Sequence, residues 1–426
     1  MIGSRDVESA RKRWKVLSVA VLLLSLSVLV VPPSFEASQL LTNGRIWNSG
    51  IAIDSEGSIA YVGSTAGFSD GQALAALLKY SPTGQLTCLK TFGGNRQSPL
   101  DTFGYGVAFD SSNNMYVTGS TQTFGGEDYD VFLLKFDSSC NLVSTLQWGG
   151  PRNDIPRSIA VDLYDNVFIA GYTDSFGNGQ TQVFLLKYQS ADNEFVWSKF
   201  WGGANNDYGM GVDVDIAGNI YVTGYTNSFG VTPGISNVFL LKYDSSGNLL
   251  YQKTWGGTHG DFGSAVATDA AGNVYVTGYT DSFGVTPGIS NVFLLKYDSS
   301  GNLLYQKTWG GTQNDFGYGV TVDGASNVYV TGYTYSSSVT HGLASVFILK
   351  YDPSGNLLFQ NTWGGRKSDY GYGISVDPAA GYIYVTGYTF SFGSPNSKGV
   401  NVFLLKYDPA GNLLFQKTYG GGTPDP

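Results

Sequence analysis

One stretch of sequence is written seven times in this chain, and that repetition limits the folds open to it more than any other feature. The clearest copies read Asn-Val-Tyr-Val-Thr-Gly-Tyr-Thr, a variable loop, Val-Phe-Leu-Leu-Lys-Tyr-Asp-Ser-Ser-Gly-Asn-Leu-Leu-Tyr-Gln-Lys-Thr, then Trp-Gly-Gly. The glycine before Tyr-Thr or Ser-Thr falls at Gly63, Gly119, Gly171, Gly224, Gly278, Gly332 and Gly387. Successive intervals are 56, 52, 53, 54, 54 and 55 residues, so one structural unit recurs with small insertions. A period of this size defines a solenoid, a propeller or an array.

Each unit holds four short apolar runs rich in Val, Tyr, Phe and Thr. In the sixth copy they are Gly319 to Asp323, Val328 to Tyr333, Val346 to Tyr351 and Leu357 to Thr362. Their apolar residues alternate or run together and never follow a helical period, which predicts strands. The second and third runs carry large apolar groups on both faces, as a blade clamped between two neighbours requires. The connections are of two kinds. Asp-x-x-Gly-Asn links runs one and two (Asp269 to Asn273) and, as Asp298 to Asn302, runs three and four. Asp accepts hydrogen bonds from nearby amides and Gly supplies the left-handed position of a tight hairpin. The other connections vary in length, and in an up-and-down sheet they emerge at the opposite end. One rim is thus uniform and the other variable.

Seven such units predict an all-β, seven-bladed β-propeller of four-stranded antiparallel blades. Strand one, the most glycine-rich, belongs nearest the axis, where backbones crowd. All four strands of a blade come from one repeat, so blades seven and one should seal through side chains; a register shifted by one strand is the alternative. The segments Tyr-Val-Thr-Gly-Tyr-Thr, Phe-Leu-Leu-Lys-Tyr-Asp-x-x-Gly-Asn-Leu and Trp-Gly-Gly resemble the SBBP-type beta-propeller repeat of exported bacterial and archaeal proteins. The resemblance covers roughly residues 44–422. It implies the fold and brings no shared activity or site pattern.

The predicted organisation is a basic cytoplasmic segment (1–15), an apolar signal core or transmembrane anchor helix (16–31), a linker (32–43), the propeller (44–422) and a short tail (423–426). Arg11, Lys12, Arg13 and Lys15 ahead of the apolar run Val16 to Val31 have the layout of an export signal. The run suits a cleaved signal and an uncleaved anchor about equally. Either way the propeller is expected outside the cell or on its surface, touching membrane only through that segment. The chain carries a formal net charge of −9, and without the residues before Val16 it carries −12. That opposes nucleic acid as a partner.

Cys88 and Cys140 are the only cysteines. Aligned to the repeat, they sit four residues apart in equivalent hairpins, a difference of about 13 Å in height. That predicts two free, partly buried thiols. With two histidines besides, no zinc constellation can be drawn.

Asp154, Asp207, Asp261, Asp315 and Asp369 precede strand one in successive copies, with Asp101 near the matching place in blade two. A ring of carboxylates at the tunnel mouth could hold calcium, the one ion considered; no other cofactor is expected. The competing and favoured reading is that each binds amides of its own loop. The second set, Asp54 through Asp377, opens the tight turns and is structural. The five arginines after the apolar run, Arg45, Arg96, Arg152, Arg157 and Arg366, all lead into or enter strand one. They fall in blades one, two, three and seven, consecutive around a ring, and could clamp an acidic glycan. Solvated loop charges are the plainer account. The repeated lysines (Lys79 to Lys406) should pack their stems and set the ammonium on an aromatic face or carboxylate. The repeated tryptophans should anchor blade ends.

No nucleophile elbow, metal-binding His pair or phosphate loop is present, so no enzyme is predicted. The leading expectation is a non-enzymatic binding or adhesion module presenting its variable loops to an extracellular glycan or protein. A structural envelope scaffold is the alternative, since residues 218–258 and 272–312 differ only at Ile220/Val274 and Asn227/Asp281. A glycan-processing propeller enzyme comes third.

Overall fold

The structure, a computed structural model, describes residues 50–65, 73–93, 101–122, 128–232, 234–337, 342–393 and 400–419. The expected N-terminal signal or anchor helix lies outside them. Among the described residues no helix is long and apolar enough to cross a membrane. Those residues hold 28 strands, β1 (Gly50–Ile53) to β28 (Leu413–Tyr419). They group into seven sheets of four, each pairing its strands in chain order. Pairing is antiparallel, as in blade four, where β13 (Asp207–Val214), β14 (Ile220–Thr226), β15 (Asn237–Tyr243) and β16 (Leu249–Trp255) follow one another. This is the seven-bladed propeller the repeat predicts, in the register without a lent strand.

The core is seven interfaces and not one centre. Tyr221, Val238, Leu240 and Trp255 of blade four pack on Val266, Val276, Phe293 and Leu295 of blade five. The same pattern recurs at the six other junctions. β14 and β15 are buried on both faces because each face meets a different neighbour.

Polar links follow the same junctions. Trp201, Trp255, Trp309 and Trp363 each donate from Nε1 to a glutamine of the next blade's fourth strand, at 2.8 to 3.0 Å. Lys242 Nζ donates to Ser299 O of the next blade (2.8 Å) and Lys296 Nζ to Pro353 O (2.9 Å). Their ammoniums also lie over Tyr221 and Tyr275, as the packing reading required. Blade seven closes on blade one by the same means: Lys406 Nζ reaches Pro82 O (3.1 Å) and Tyr419 packs on Tyr80.

The cysteines overturn their expectation: Cys88 and Cys140 form a disulfide, with Cα atoms 6.3 Å apart. Equal height was the wrong premise. Each hairpin turn packs against a point partway up the preceding blade's fourth strand. Tyr251, Tyr305, Phe359 and Phe415 lie against the turn glycines Gly301, Gly355, Gly411 and Gly84 of the following blade. Cys88 takes the ring's position and Cys140 the glycine's, with φ at 69°. The stagger between blades therefore brings the two sulfurs together.

Candidate site at the tunnel mouth

Strand one begins at the variable rim and carries a bulge three residues in. In blade four Gly209 pairs with Gly224 and Gly211 with Thr223, so Met210 is left unpaired. A bulge re-aims the extra side chain. Here it turns the residue into the tunnel, about 10 Å inside the mouth at 3.3 Å per residue. Tyr105, Ser264, Tyr318 and Tyr372 are the bulge residues of blades two, five, six and seven. In blade three it is Arg157, skipped between Pro156 and Ser158. These side chains line a half-enclosed cavity of about 460 Å³, with Tyr225, Phe262 and Tyr279 beside them. Arg157 is the sole charged residue among the described residues of that lining.

Crowding explains the sequence around the bulge. A Cβ on Gly224, Gly278, Gly332 or Gly387 would overlap the carbonyl oxygen two residues before the bulge on the facing strand. The repeat's marker glycine is therefore a backbone contact.

An aromatic arc surrounds the cavity. Tyr172, Tyr208, Tyr225, Phe262, Tyr279, Phe316, Tyr333, Tyr370 and Tyr388 touch in succession across blades three to seven, with ring centroids 4.7 to 5.1 Å apart. The arc stops at blades one and two, where Ser64 and Ser120 replace its second-strand tyrosine. Burial pushes the Tyr225 phenol up to about 12 and raises Tyr279, Tyr318 and Tyr372 as well, so these hydroxyls stay protonated donors. Arg157 sits at the arc's end, its guanidinium 5.4 Å from the Tyr105 centroid and 5.6 Å from that of Tyr172. Its Nε is buried with no hydrogen-bond partner.

The arginines therefore do not behave as one sector. Arg157 lies inside the tunnel and not on the rim. Arg152 and Arg366 are exposed on the rim, and Arg45 and Arg96 lie outside the described residues. His259 is exposed there too, and His341 is outside the described residues.

The strand-one aspartates form clips and not a ring of ligands. Asp261 Oδ2 accepts from Gly257 N (2.7 Å) and Ser282 Oγ (2.8 Å), and its Oδ1 accepts from Thr280. Asp207, Asp315 and Asp369 repeat the arrangement. Asp154 accepts from Gly150 N and Ser175 Oγ, both at 2.7 Å. All five are fully buried, each within its own blade. Among the described residues no three His, Cys, Asp or Glu side chains group as a metal would need. The clip fastens the loop before strand one to the loop after strand two, giving the variable rim a fixed base. The tight-turn aspartates are structural, as expected: Asp215 takes Ala217 N, Asn219 N, Asn219 Nδ2 and Tyr221 Oη at 2.8 to 3.0 Å.

One rim carboxylate is out of place. Asp130 stands where blades four, five and seven have Asn237, Asn291 and Asn401, and its Oδ1 is buried without a partner. Burial, with the charges of Asp154 and Asp128, pushes it up to about 7. A carboxyl raised in the folded state stabilises fully below its unfolded value near 4, and that contribution is lost as pH rises through 7. Asp130→Asn should therefore raise stability by about 1–2 kcal/mol at pH 8, after allowance for solvent screening, and add little at pH 4. Urea unfolding at the two pH values checks it; an equal effect at both would refute the assignment.

Blade architecture, closure and repeat together define a seven-bladed beta-propeller repeat protein. The family model "SBBP: Beta-propeller repeat" matches six times across the chain, at residues 93–123, 145–178, 196–230, 255–284, 309–338 and 363–391. It is similar to an uncharacterized WD repeat-containing protein of Acanthamoeba polyphaga mimivirus, 23% identical over 410 residues, covering 67% of this chain and 29% of that protein. The regulatory protein FlaEY of Caulobacter vibrioides is 27% identical over 232 residues, covering 45% of this chain and 24% of its own. This chain thus spans under a third of either relative. Among solved structures, the beta-propeller domain of the Trilobed protease from Pyrococcus furiosus aligns at a TM-score of 0.46 and 10% identity, over 90% of this chain and 100% of that one. A gluconolactonase from Xanthomonas campestris aligns at 0.38 and 12%, over 68% and 87%.

Proposed function

We propose that this protein is a non-enzymatic binding or adhesion module, exported to the cell surface or beyond, whose ligand docks on the variable rim and tunnel mouth. One observation carries this reading: unlike side chains are concentrated there, while the rest of the molecule repeats. Among the described residues the bulge positions hold Tyr105, Arg157, Met210, Ser264, Tyr318 and Tyr372, six places with four residue types. The tight-turn rim repeats one hairpin design, spelled Asp-x-x-Gly-Asn in six of its fourteen turns. Recognition draws on side-chain variety presented from a rigid scaffold. The ligand class that suits the exposed Arg152 and Arg366 is an acidic glycan or an acidic protein surface, with affinity that falls as salt screens exposed charge.

A glycan array probed with the purified protein, with and without calcium, tests the reading. Selective binding is expected. An Arg152→Ala/Arg366→Ala variant should bind acidic glycans several-fold more weakly, and a Ser299→Ala/Ser300→Ala variant on the opposite rim should bind normally. Loss in the turn variant with retention in the arginine variant would place the ligand on the other face. Turnover of a glycan would replace the module with an enzyme.

A further inference from the structure

The fold does not ask for an arginine at position 157. The equivalent bulge residue is tyrosine, methionine or serine in other blades, and all of them accept the same backbone. Arg157 nonetheless brings a permanent charge into a cavity whose lining, among the described residues, holds no acidic residue. The one ion pair among the described residues, Lys79 with Asp54, lies elsewhere. Two tyrosine rings hold the guanidinium, and its Nε has no partner. Cation–π contact steadies such a group and leaves its in-plane N–H donors unused. A planar fork of donors beside aromatic faces matches a carboxylate carried on a ring. The cavity, about 460 Å³, is within the usual range for small-ligand sites. Protonated phenols around it, and the hydroxyls of Ser158 and Ser264, suit a ring that itself bears many hydroxyls.

We propose that the tunnel mouth is a subsite for a hexuronic-acid sugar, with Arg157 taking the carboxylate and the Tyr105 and Tyr225 side of the cavity taking the sugar ring. This rests on the binding-module reading and narrows it to one ligand chemistry and one place.

Calorimetric titration of the full chain with a trimer of α-1,4-linked galacturonic acid tests it, beside the neutral galactose trimer and 4-hydroxybenzoate. The acidic trimer should bind at least about tenfold more tightly than the neutral one, the scale of a charge-assisted pair. Arg157→Met, which borrows the residue of blade four, should erase that preference while leaving the thermal midpoint unchanged. Arg157→Lys should restore part of it. Equal binding of both trimers, or an unchanged preference in Arg157→Met, would overturn the subsite. Binding of 4-hydroxybenzoate without the sugar would overturn the ligand class. If the array shows selective glycans whose binding Arg157→Met leaves intact, the subsite falls and the module stands.

Discussion

Replacing Gly278 with alanine should destabilise the protein by about 3 kcal/mol or prevent its folding, one methyl group against a whole blade. The added Cβ would overlap the carbonyl oxygen of Phe262 and press on the Phe293 ring. Neither can retreat easily. Phe262 belongs to strand one beside the bulge, and a Cβ on the adjoining Gly263 would already meet the Gly224 carbonyl of the preceding blade. Gly324→Ala is the control: nothing lies within 4 Å of its Cβ position, and little change is expected. Chemical denaturation of the two variants beside the parent measures the contrast. Similar small effects would mean that the inner strands are far less tightly seated than described.

Reducing the Cys88–Cys140 bond, or substituting both cysteines by alanine, should cost about 2–4 kcal/mol. The bond spans 52 residues and ties blade one to blade two, a junction without a ring packed on a turn glycine. Under reducing conditions, Cys88→Tyr/Cys140→Gly should recover part of that loss, because it restores the contact made by Tyr251 with Gly301. Thermal midpoints with and without reductant provide the measurement. A midpoint indifferent to reductant in the parent would show that the junction holds without the bond. An oxidising compartment, as expected after export, would preserve the disulfide.

Blade count, strand order and side-chain closure were legible because each rests on local chemistry repeated seven times. Asp-x-x-Gly-Asn can hardly be anything but a tight turn, and its spacing sets the strands. The packing of the repeated lysine and tryptophan is legible too, but their hydrogen bonds to the next blade are not. What stayed hidden lies between repeats or against the pattern. Strand one was expected from Gly319 and runs from Asp315 to Val322, since the bulge at Tyr318 breaks the alternation that marks a strand. The signal was present in Gly209-Met210-Gly211 and Gly371-Tyr372-Gly373: two glycines around a variable residue. Arg157 reads as a rim residue because it lies just inside the start of strand one, and Pro156-Arg157-Ser158 lacks the flanking glycines that would mark the bulge. The disulfide is hidden from the sequence because the stagger of neighbouring blades is a property of the ring, which no single repeat records.

The lysine and tryptophan hydrogen bonds between blades all run the same way round. Lysine and tryptophan donors reach forward, and turn carbonyls and glutamines receive from behind. Each blade is thus a coupling with a plug on one side and a socket on the other. Head-to-tail contacts of this kind make rings when their rotation closes and filaments when it does not. A chain interrupted after three or four blades would display one free plug and one free socket, and such fragments would join end to end. Only when blade seven meets blade one are both used up within a single molecule, so the number of repeats itself decides whether the product is a monomer or a polymer.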